Sequence, residues 1–140
     1  GEDPATDWKG DHALAELPQL IDPRSGWLMN TNNEPWGAGG PGSIDARRYP
    51  RYFDSFGENP RGLNARRVLE GRRGFTLEGL RAAAYDPYLP AFPRLIPSLL
   101  AAYDALPAGD ARREALARPI ALLRAWDYRW SAESTATSLA

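Results

Sequence analysis

Apolar side chains in the second part of the chain recur at the three- and four-residue spacing of amphipathic α-helices. The pattern begins beyond Arg61, and it predicts a first helix around Leu63 that ends at Gly71 or Gly74. Threonine is a good N-cap residue, and Thr76 is therefore predicted to start a second helix.

A third helix is predicted between Pro93 and the Pro-Ala-Gly sequence at 107–109, because proline suits the first turn of a helix but disrupts its interior. Asp110 is predicted to cap the last helical region, where Pro119 indicates either a kink or a division into two short helices. The tail from Ser131 is small and polar. The apolar stripe of the third helix comprises Leu95, Ile96, Leu99, Leu100 and Tyr103.

Residues 1–60 lack this periodicity. Residues 1–25 are predicted to form a loop with one helical turn. Residues 26–31 are predicted to form one short strand, because aromatic and aliphatic side chains there lie between turn formers. Residues 36–60 are rich in glycine and proline, and this composition predicts a long loop. The chain therefore divides into a strand-and-loop segment, 1–60, and a helical segment, 61–140, and its fold class is mainly α with one or few short strands.

Composition narrows the classes of function. A chain of 140 residues with 43% hydrophobic content can build the core of one domain. The net charge of -1 provides no general attraction to nucleic acid or to an anionic membrane, and no apolar segment has the roughly 18 residues that a membrane span needs. The absence of cysteine excludes disulfides and thiolate chemistry. The chain begins without methionine or a signal peptide, and we expect it to be a piece of a longer protein.

Few residues indicate chemistry by themselves. His12 is the only histidine, and it is interpreted as a surface residue because one histidine cannot build a histidine-rich metal site. Ser25, Ser43 and Ser55 lack the G-x-S-x-G context of a nucleophile elbow. The glycine-rich segment 37–42 lacks the frame of a phosphate-binding loop and is interpreted as flexible. The arginines between residues 61 and 73 are interpreted as a solvated helix face.

Three asparagines stand close together in the sequence GWLMNTNNEPWG, residues 26–37. Asparagine is common in turns because its amide bonds to nearby backbone and it tolerates left-handed conformations, so Asn30, Asn32 and Asn33 can be explained as a turn. A carboxamide held rigidly at such a position can instead donate a hydrogen bond to a developing oxyanion. Spacing alone does not decide between these two interpretations.

Six segments are distinctive in their order along the chain: DWKG at 7–10, ELP at 16–18, DPRSGWLMNTNNEPW at 22–36, FTLEGL at 75–80, AYDPYLP at 84–90 and RAWD at 124–127. Together they resemble successive landmarks in the β chain of the penicillin acylase family. The stretch from Asp7 to Pro35 is the most specific part of the resemblance. Within the family, the chain is most similar to acyl-homoserine lactone and aculeacin-type acylases.

The resemblance implies an N-terminal-nucleophile hydrolase, whose parent protein has the α+β fold with four αββα layers. In such enzymes a precursor cleaves itself, and the serine freed at the start of the β chain attacks an amide while its own α-amine acts as the base. That serine lies outside this chain, which begins with Gly1, so the isolated chain is expected to be inactive.

The resemblance also implies the partners of this chain. They are a small N-acyl amide substrate, the α chain and the remainder of the β chain, with no nucleic acid and no membrane span. The chemistry requires no cofactor. The parent protein can hold a structural calcium ion, for which Asp45 and Asp54 are candidate ligands that the sequence does not decide between. The implied location is periplasmic or secreted.

Two residues receive roles through the resemblance. The first asparagine of the Asn-Asn pair, Asn32, corresponds to a donor of the oxyanion hole, which leaves Asn30 and Asn33 as turn residues. Arg61 corresponds to an arginine that supports the active site. Thr31 stands where penicillin G acylases have an aromatic residue, which favours long-chain or lactone-type amides as substrates. The alternative function is a non-catalytic helical interaction module that shares the family's ancestry.

Overall fold

Five α-helices make up most of the regular structure in the computed structural model, which describes residues 3–53 and 56–140. They are α1, Pro60–Leu69; α2, Leu77–Ala84; α3, Phe92–Asp104; α4, Ala111–Arg124; and α5, Thr135–Leu139. Short 3₁₀ helices at Pro4–Thr6, Leu14–Glu16, Pro35–Gly37 and Ala46–Arg48 precede them. The prediction of a mainly helical chain is confirmed. No helix in the described part of the chain is long and apolar enough to cross a membrane.

The chain forms two compact units, Gly1–Glu58 and Asn59–Ala140. All five α-helices lie in the second unit, and the first unit holds the short 3₁₀ helices and the connecting loops. The asparagine cluster therefore belongs to the first unit, and Arg61 belongs to the second.

Polar side chains mark where the helices begin. The hydroxyl of Thr76 accepts a hydrogen bond from the N–H of Gly79 at 3.0 Å, and Asp110 accepts one from the N–H of Arg112 at 2.9 Å. Both predicted N-caps are thus confirmed. The end of α1 is also confirmed, because the helix stops at Leu69 and Gly71 follows with a φ of +73°. Such a left-handed residue after a helix suits glycine.

The apolar core of the second unit lies between α3, α4 and α5. Its buried residues are Ile96, Leu123, Trp126 and Ala136, and Leu89, Phe92, Leu100 and Tyr128 pack against them. The ring of Trp126 lies edge-to-face on Phe92, with centroids 4.9 Å apart, and its Nε1–H donates to the carbonyl of Arg129 at 2.9 Å. The indole ring of Trp126 therefore packs in the apolar core while its N–H has a hydrogen-bond acceptor.

The predicted stripe of α3 is only partly buried. Ile96 is buried and Leu100 is half-buried, whereas Leu95 and Leu99 are 60% and 47% exposed. The helical spacing was predicted correctly, and the half of the stripe that faces α4 and α5 supplies the core.

A short clasp of backbone hydrogen bonds joins the chain before α3 to the chain after α4. Tyr88 and Arg129 form an isolated antiparallel bridge. The N–H of Leu89 donates to the carbonyl of Tyr128 at 2.8 Å, and the N–H of Trp130 donates to that of Pro87 at 3.1 Å. We call these bonds the clasp.

A carboxylate network lies beside the clasp. Asp86 pairs with Arg67 and lies 3.6 Å from the guanidinium of Arg129, while it accepts the N–H of Tyr88 at 3.0 Å. The guanidinium of Arg67 also lies over the Tyr88 ring, 4.6 Å from its centroid. Arg67 is exposed, as expected for a solvated helix face, and it also takes part in these contacts within the unit.

The predicted strand at residues 26–31 was wrong. The described residues of this segment belong to no strand, because a strand needs a neighbouring strand to complete its ladder and none lies beside it in the described structure. The N–H of Met29 instead donates to the carbonyl of Ala38 at 2.8 Å. Outside the helices, the clasp provides the only β-bridge among the described residues.

Of the two alternatives predicted at Pro119, the division into two short helices was wrong, because α4 runs as one continuous helix through this residue. A proline inside a helix costs about 3 kcal/mol, and the burial of Ile120 and Leu123 beyond it offsets this by about 1.5–3 kcal/mol each. The tail contains α5, in which Ser134 accepts the N–H of Thr137 at 3.2 Å and Ala136 packs into the core.

Trp126 should be the most sensitive position of the core. We expect Trp126→Ala to lower the free energy of unfolding of the chain by about 3–5 kcal/mol, because it leaves a large cavity and removes the bond to Arg129. Tyr85→Ala is a matched control, since that aromatic ring is 80% exposed, and should change stability by less than about 0.5 kcal/mol. Urea denaturation followed by circular dichroism measures both, and equal losses would contradict the assignment of the core.

Asp86 should make the stability of the chain depend on pH. Burial acts to raise the pKa of Asp86, but the Tyr88 N–H and the charges of Arg67 and Arg129 outweigh it and hold the pKa below its ordinary value of 3.8. The ionised form therefore stabilises the folded state above that ordinary value, and this contribution is lost as the pH falls through the lowered pKa.

We expect Asp86→Asn to destabilise the chain by about 1–2 kcal/mol near neutral pH, and the difference from wild type to narrow below about pH 4. Asp104→Asn breaks an exposed pair with Arg124 and should cost less than about 1 kcal/mol. Urea titrations at several pH values test this. A difference between Asp86→Asn and wild type that stays constant into acid would refute it.

Candidate active site

Two side-chain hydrogen bonds shape the asparagine turn, residues 30–33. Oδ1 of Asn30 accepts the backbone N–H of Asn32 at 2.9 Å, and Oδ1 of Asn33 accepts the N–H of Thr31 at 3.0 Å. Asparagine favours this arrangement because its short side chain reaches backbone two residues away. Asn30 and Asn33 therefore shape the turn, as predicted.

Asn32 occupies the left-handed region of backbone conformation, with a φ of +55°. This conformation costs most L-residues about 1–2 kcal/mol, but asparagine adopts it more readily. The residue is exposed, while its neighbours Thr31 and Asn33 are half-buried. The turn thus presents Asn32 at the surface of the first unit on a backbone that its neighbours hold in place.

Two carboxylates anchor the turn to the end of the long loop. Nδ2 of Asn33 donates to Oε1 of Glu58 at 2.7 Å. Oε2 of Glu34 accepts the N–H of Gly57 at 3.1 Å, and Gly57 has a φ of +83° that suits glycine. Sequence analysis missed both roles, because no spacing rule connects residues more than twenty positions apart across an irregular loop. The adjacency of Glu34 to the Asn-Asn pair was the one available signal.

The glycine-rich segment 37–42 is packed in its middle part and exposed at Pro41 and Gly42. Gly39 and Gly40 are buried. A Cβ on Gly40 would lie 3.2 Å from the ring of Trp27, and the φ of +93° at Gly40 also requires glycine. The hydroxyl of Ser43 donates to the carbonyl of Trp36 at 3.1 Å and accepts the N–H of Gly39 at 3.2 Å. These contacts hold Gly39 and Gly40 in place beside Trp27 and Ser43.

Arg61 lies in the first turn of α1, which Asn59 caps by accepting the N–H of Gly62 at 3.0 Å. Its side chain is at the edge of a cavity of about 300 Å³, which Tyr88, Phe92 and Trp130 also line. A guanidinium beside aromatic rings can bind an anionic or planar group. Arg61 and Asn32 lie in different units.

His12 does more than face solvent. Its Nε2 lies 2.6 Å from the hydroxyl of Tyr52, and its Nδ1 lies 3.3 Å from Oε2 of Glu16. Glu16 also accepts the N–H of Ala13. Mainly this bond, and to a smaller extent the bond to His12, holds the pKa of Glu16 below its ordinary value. The histidine ties the start of the first unit to the loop that contains Tyr52.

The described residues contain no group of three or more His, Asp and Glu side chains that could hold a metal ion. Asp45, one candidate calcium ligand, forms two hydrogen bonds with the guanidinium of Arg47. Asp54, the other, lies outside the described residues.

A sequence model of the penicillin amidase family matches residues 1–140. The chain belongs to the penicillin amidase family. Family membership makes it part of an acylase-like hydrolase that acts on amides and matures from a precursor into more than one chain. The match covers both units, so the asparagine turn and the helical unit belong to the same family sequence.

The left-handed backbone at Asn32 predicts different effects for two substitutions. Asn32→Ala should destabilise the chain by about 1 kcal/mol, because alanine pays the cost of a positive φ. Asn32→Gly removes the same carboxamide without that cost and should lie within about 0.5 kcal/mol of wild type. Urea denaturation of both variants tests the turn geometry, and a glycine variant less stable than the alanine variant would contradict it.

Proposed function

We propose that the chain supplies the oxyanion-binding carboxamide of an N-terminal-nucleophile acylase, and that Asn32 carries it. The serine nucleophile and its α-amine base lie elsewhere in the parent protein. The serine hydroxyl attacks the carbonyl carbon of an N-acyl amide, and the α-amine takes the hydroxyl proton. The carbonyl oxygen then becomes an oxyanion, and the Nδ2–H of Asn32 donates a hydrogen bond to it.

The observation that carries this proposal is the preorganisation of Asn32. A hydrogen-bond donor lowers the barrier when it is held in place before charge develops, because no free energy is then spent on reorganisation. The carboxamide oxygens of Asn30 and Asn33 accept the backbone hydrogen bonds that hold the turn. Glu58 fixes the Asn33 side chain by accepting a hydrogen bond from its Nδ2. These bonds fix the backbone of Asn32, whose N–H donates to Oδ1 of Asn30 and whose φ is +55°.

Arg61 is proposed, from the family resemblance, as a residue that supports the active site of the parent protein. Its position in the first turn of a capped helix gives its backbone a defined place, and the adjoining cavity provides room for part of a substrate. The role of Arg61 rests on the resemblance of the later part of α1 to the corresponding helix of the family.

The substrate is proposed to be a small N-acyl amide with a long acyl chain or a lactone-type leaving group. Thr31, in place of an aromatic residue, is the basis for this preference. The partners are the α chain and the remainder of the β chain, and the location is periplasmic or secreted, as is typical of the family. A structural calcium ion in the parent protein fits this proposal, but its site in this chain is not assigned.

The decisive experiment is Asn32→Gly in the full-length, processed enzyme. We expect kcat to fall by about 10²–10³, with a much smaller change in KM, because the hydrogen bond strengthens only as charge develops on the oxygen. The glycine variant is preferred to alanine because it keeps the left-handed backbone.

Asn30→Gly is the comparison variant: it keeps the carboxamide of Asn32 but removes a bond that positions it, so it should lower kcat by about tenfold at most, much less than Asn32→Gly. Self-cleavage of the precursor also passes through a tetrahedral intermediate, so rates are normalised to processed protein. A processed Asn32→Gly enzyme with near-normal kcat would reject Asn32 as the donor and favour a purely structural turn.

A further inference from the structure

A cleft of about 510 Å³ lies in the first unit beside the 3₁₀ helix Ala46–Arg48. The rings of Trp36, Tyr49 and Phe53 line it, together with Arg47 and Arg51, and we call it the aromatic cleft. Its volume is within the range of small-molecule sites, about 300–1,000 Å³. Neither the asparagine turn nor Arg61 contributes to its lining.

The three rings form a continuous row. The centroids of Trp36 and Tyr49 are 5.5 Å apart with an angle of 31° between the planes, and those of Tyr49 and Phe53 are 6.1 Å apart with an angle of 26°. The small angles mean that neighbouring rings lie nearly parallel, and together they form one apolar wall of the cleft. A planar apolar group can pack against such a wall.

The two arginines of the cleft differ in their partners. Arg47 donates from Nε and Nη2 to the two oxygens of Asp45, each at 2.9 Å, and these bonds lower the pKa of Asp45. In residues 3–53 and 56–140, the side chain of Arg51 forms neither an ion pair nor a hydrogen bond. The cleft therefore has one guanidinium whose charge is already matched and one whose charge is available to a ligand.

We infer that the aromatic cleft binds a planar aromatic carboxylate, with its ring on Tyr49 and Phe53 and its carboxylate paired with Arg51. A guanidinium presents two parallel N–H groups that match the two oxygens of a carboxylate. A neutral aromatic molecule would gain only the stacking, and an aliphatic carboxylate only the ion pair. This inference is independent of the proposed acylase chemistry, because it requires binding and no turnover.

The test compares two probes of similar shape and different charge, 2-naphthoate and the neutral 2-naphthylmethanol. Isothermal titration calorimetry with the 140-residue chain measures both. We expect 2-naphthoate to bind at least about 10-fold more tightly, because charge-assisted hydrogen bonds are the stronger ones. Acetate, which has the charge without the ring, should bind more weakly than 2-naphthoate by a similar factor.

Two variants test which arginine of the cleft pairs with the carboxylate of 2-naphthoate. Arg51→Gln should abolish the preference for 2-naphthoate, whereas Arg47→Gln should preserve it, although both arginines line the same cleft. Arg51 is exposed, so its substitution leaves the fold intact, and an unchanged circular dichroism spectrum verifies this. Tyr49→Leu should weaken both naphthyl probes while keeping the preference for the charged one.

Three outcomes would overturn the inference. They are equal affinity for the charged and neutral probes, an Arg51→Gln variant that binds like wild type, and equal losses in the Arg51→Gln and Arg47→Gln variants. The last would indicate general attraction to positive charge without a defined site.

Discussion

Hydrogen bonds from side chains to backbone hold the first unit in its shape, because apolar burial there is minimal. Gly39 and Gly40 are its only buried residues in the described part of the chain, and all the buried side chains of the apolar core lie in the second unit. Each such bond contributes about 1 kcal/mol at most sites, so the unit depends on many of them together. The asparagine turn is one member of this set, and its exposed position is a direct result of a fold without a core of large side chains.

Sequence reasoning succeeded where local chemistry decides the structure. Thr76 and Asp110 cap helices because a hydroxyl or carboxylate at that position satisfies backbone N–H groups whatever surrounds it. Sequence reasoning failed where contacts between residues far apart in the chain decide the structure. The segment at 26–31 has the composition of a strand but no partner strand, and α4 continues through Pro119 because residues beyond the proline are buried. α5 is a weak helix by propensity, and the packing of Ala136 near Trp126 retains it.

The candidate site shows the same division. The asparagine turn could be recognised from the sequence, because its hydrogen bonds join residues two positions apart and the family motif is a continuous segment. Glu58 could not, because it meets Asn33 only after the long loop has folded back. The sequence allowed a left-handed backbone at any of the three asparagines, and the structure has it at Asn32, which changes how the residue must be studied. Substitution by alanine mixes the loss of a carboxamide with backbone strain, whereas glycine separates them.

The clasp between Leu89 and Tyr128 brings the two ends of the α3–α4 hairpin to one place. The chain enters and leaves this pair of helices through adjacent backbone positions, although nearly forty residues separate them. The clasp therefore closes a loop that contains both helices, and each helix contributes a buried side chain to the core, Ile96 from α3 and Leu123 from α4. Closing a long loop costs conformational entropy, so the backbone bonds of the clasp and the apolar packing of the hairpin stabilise each other.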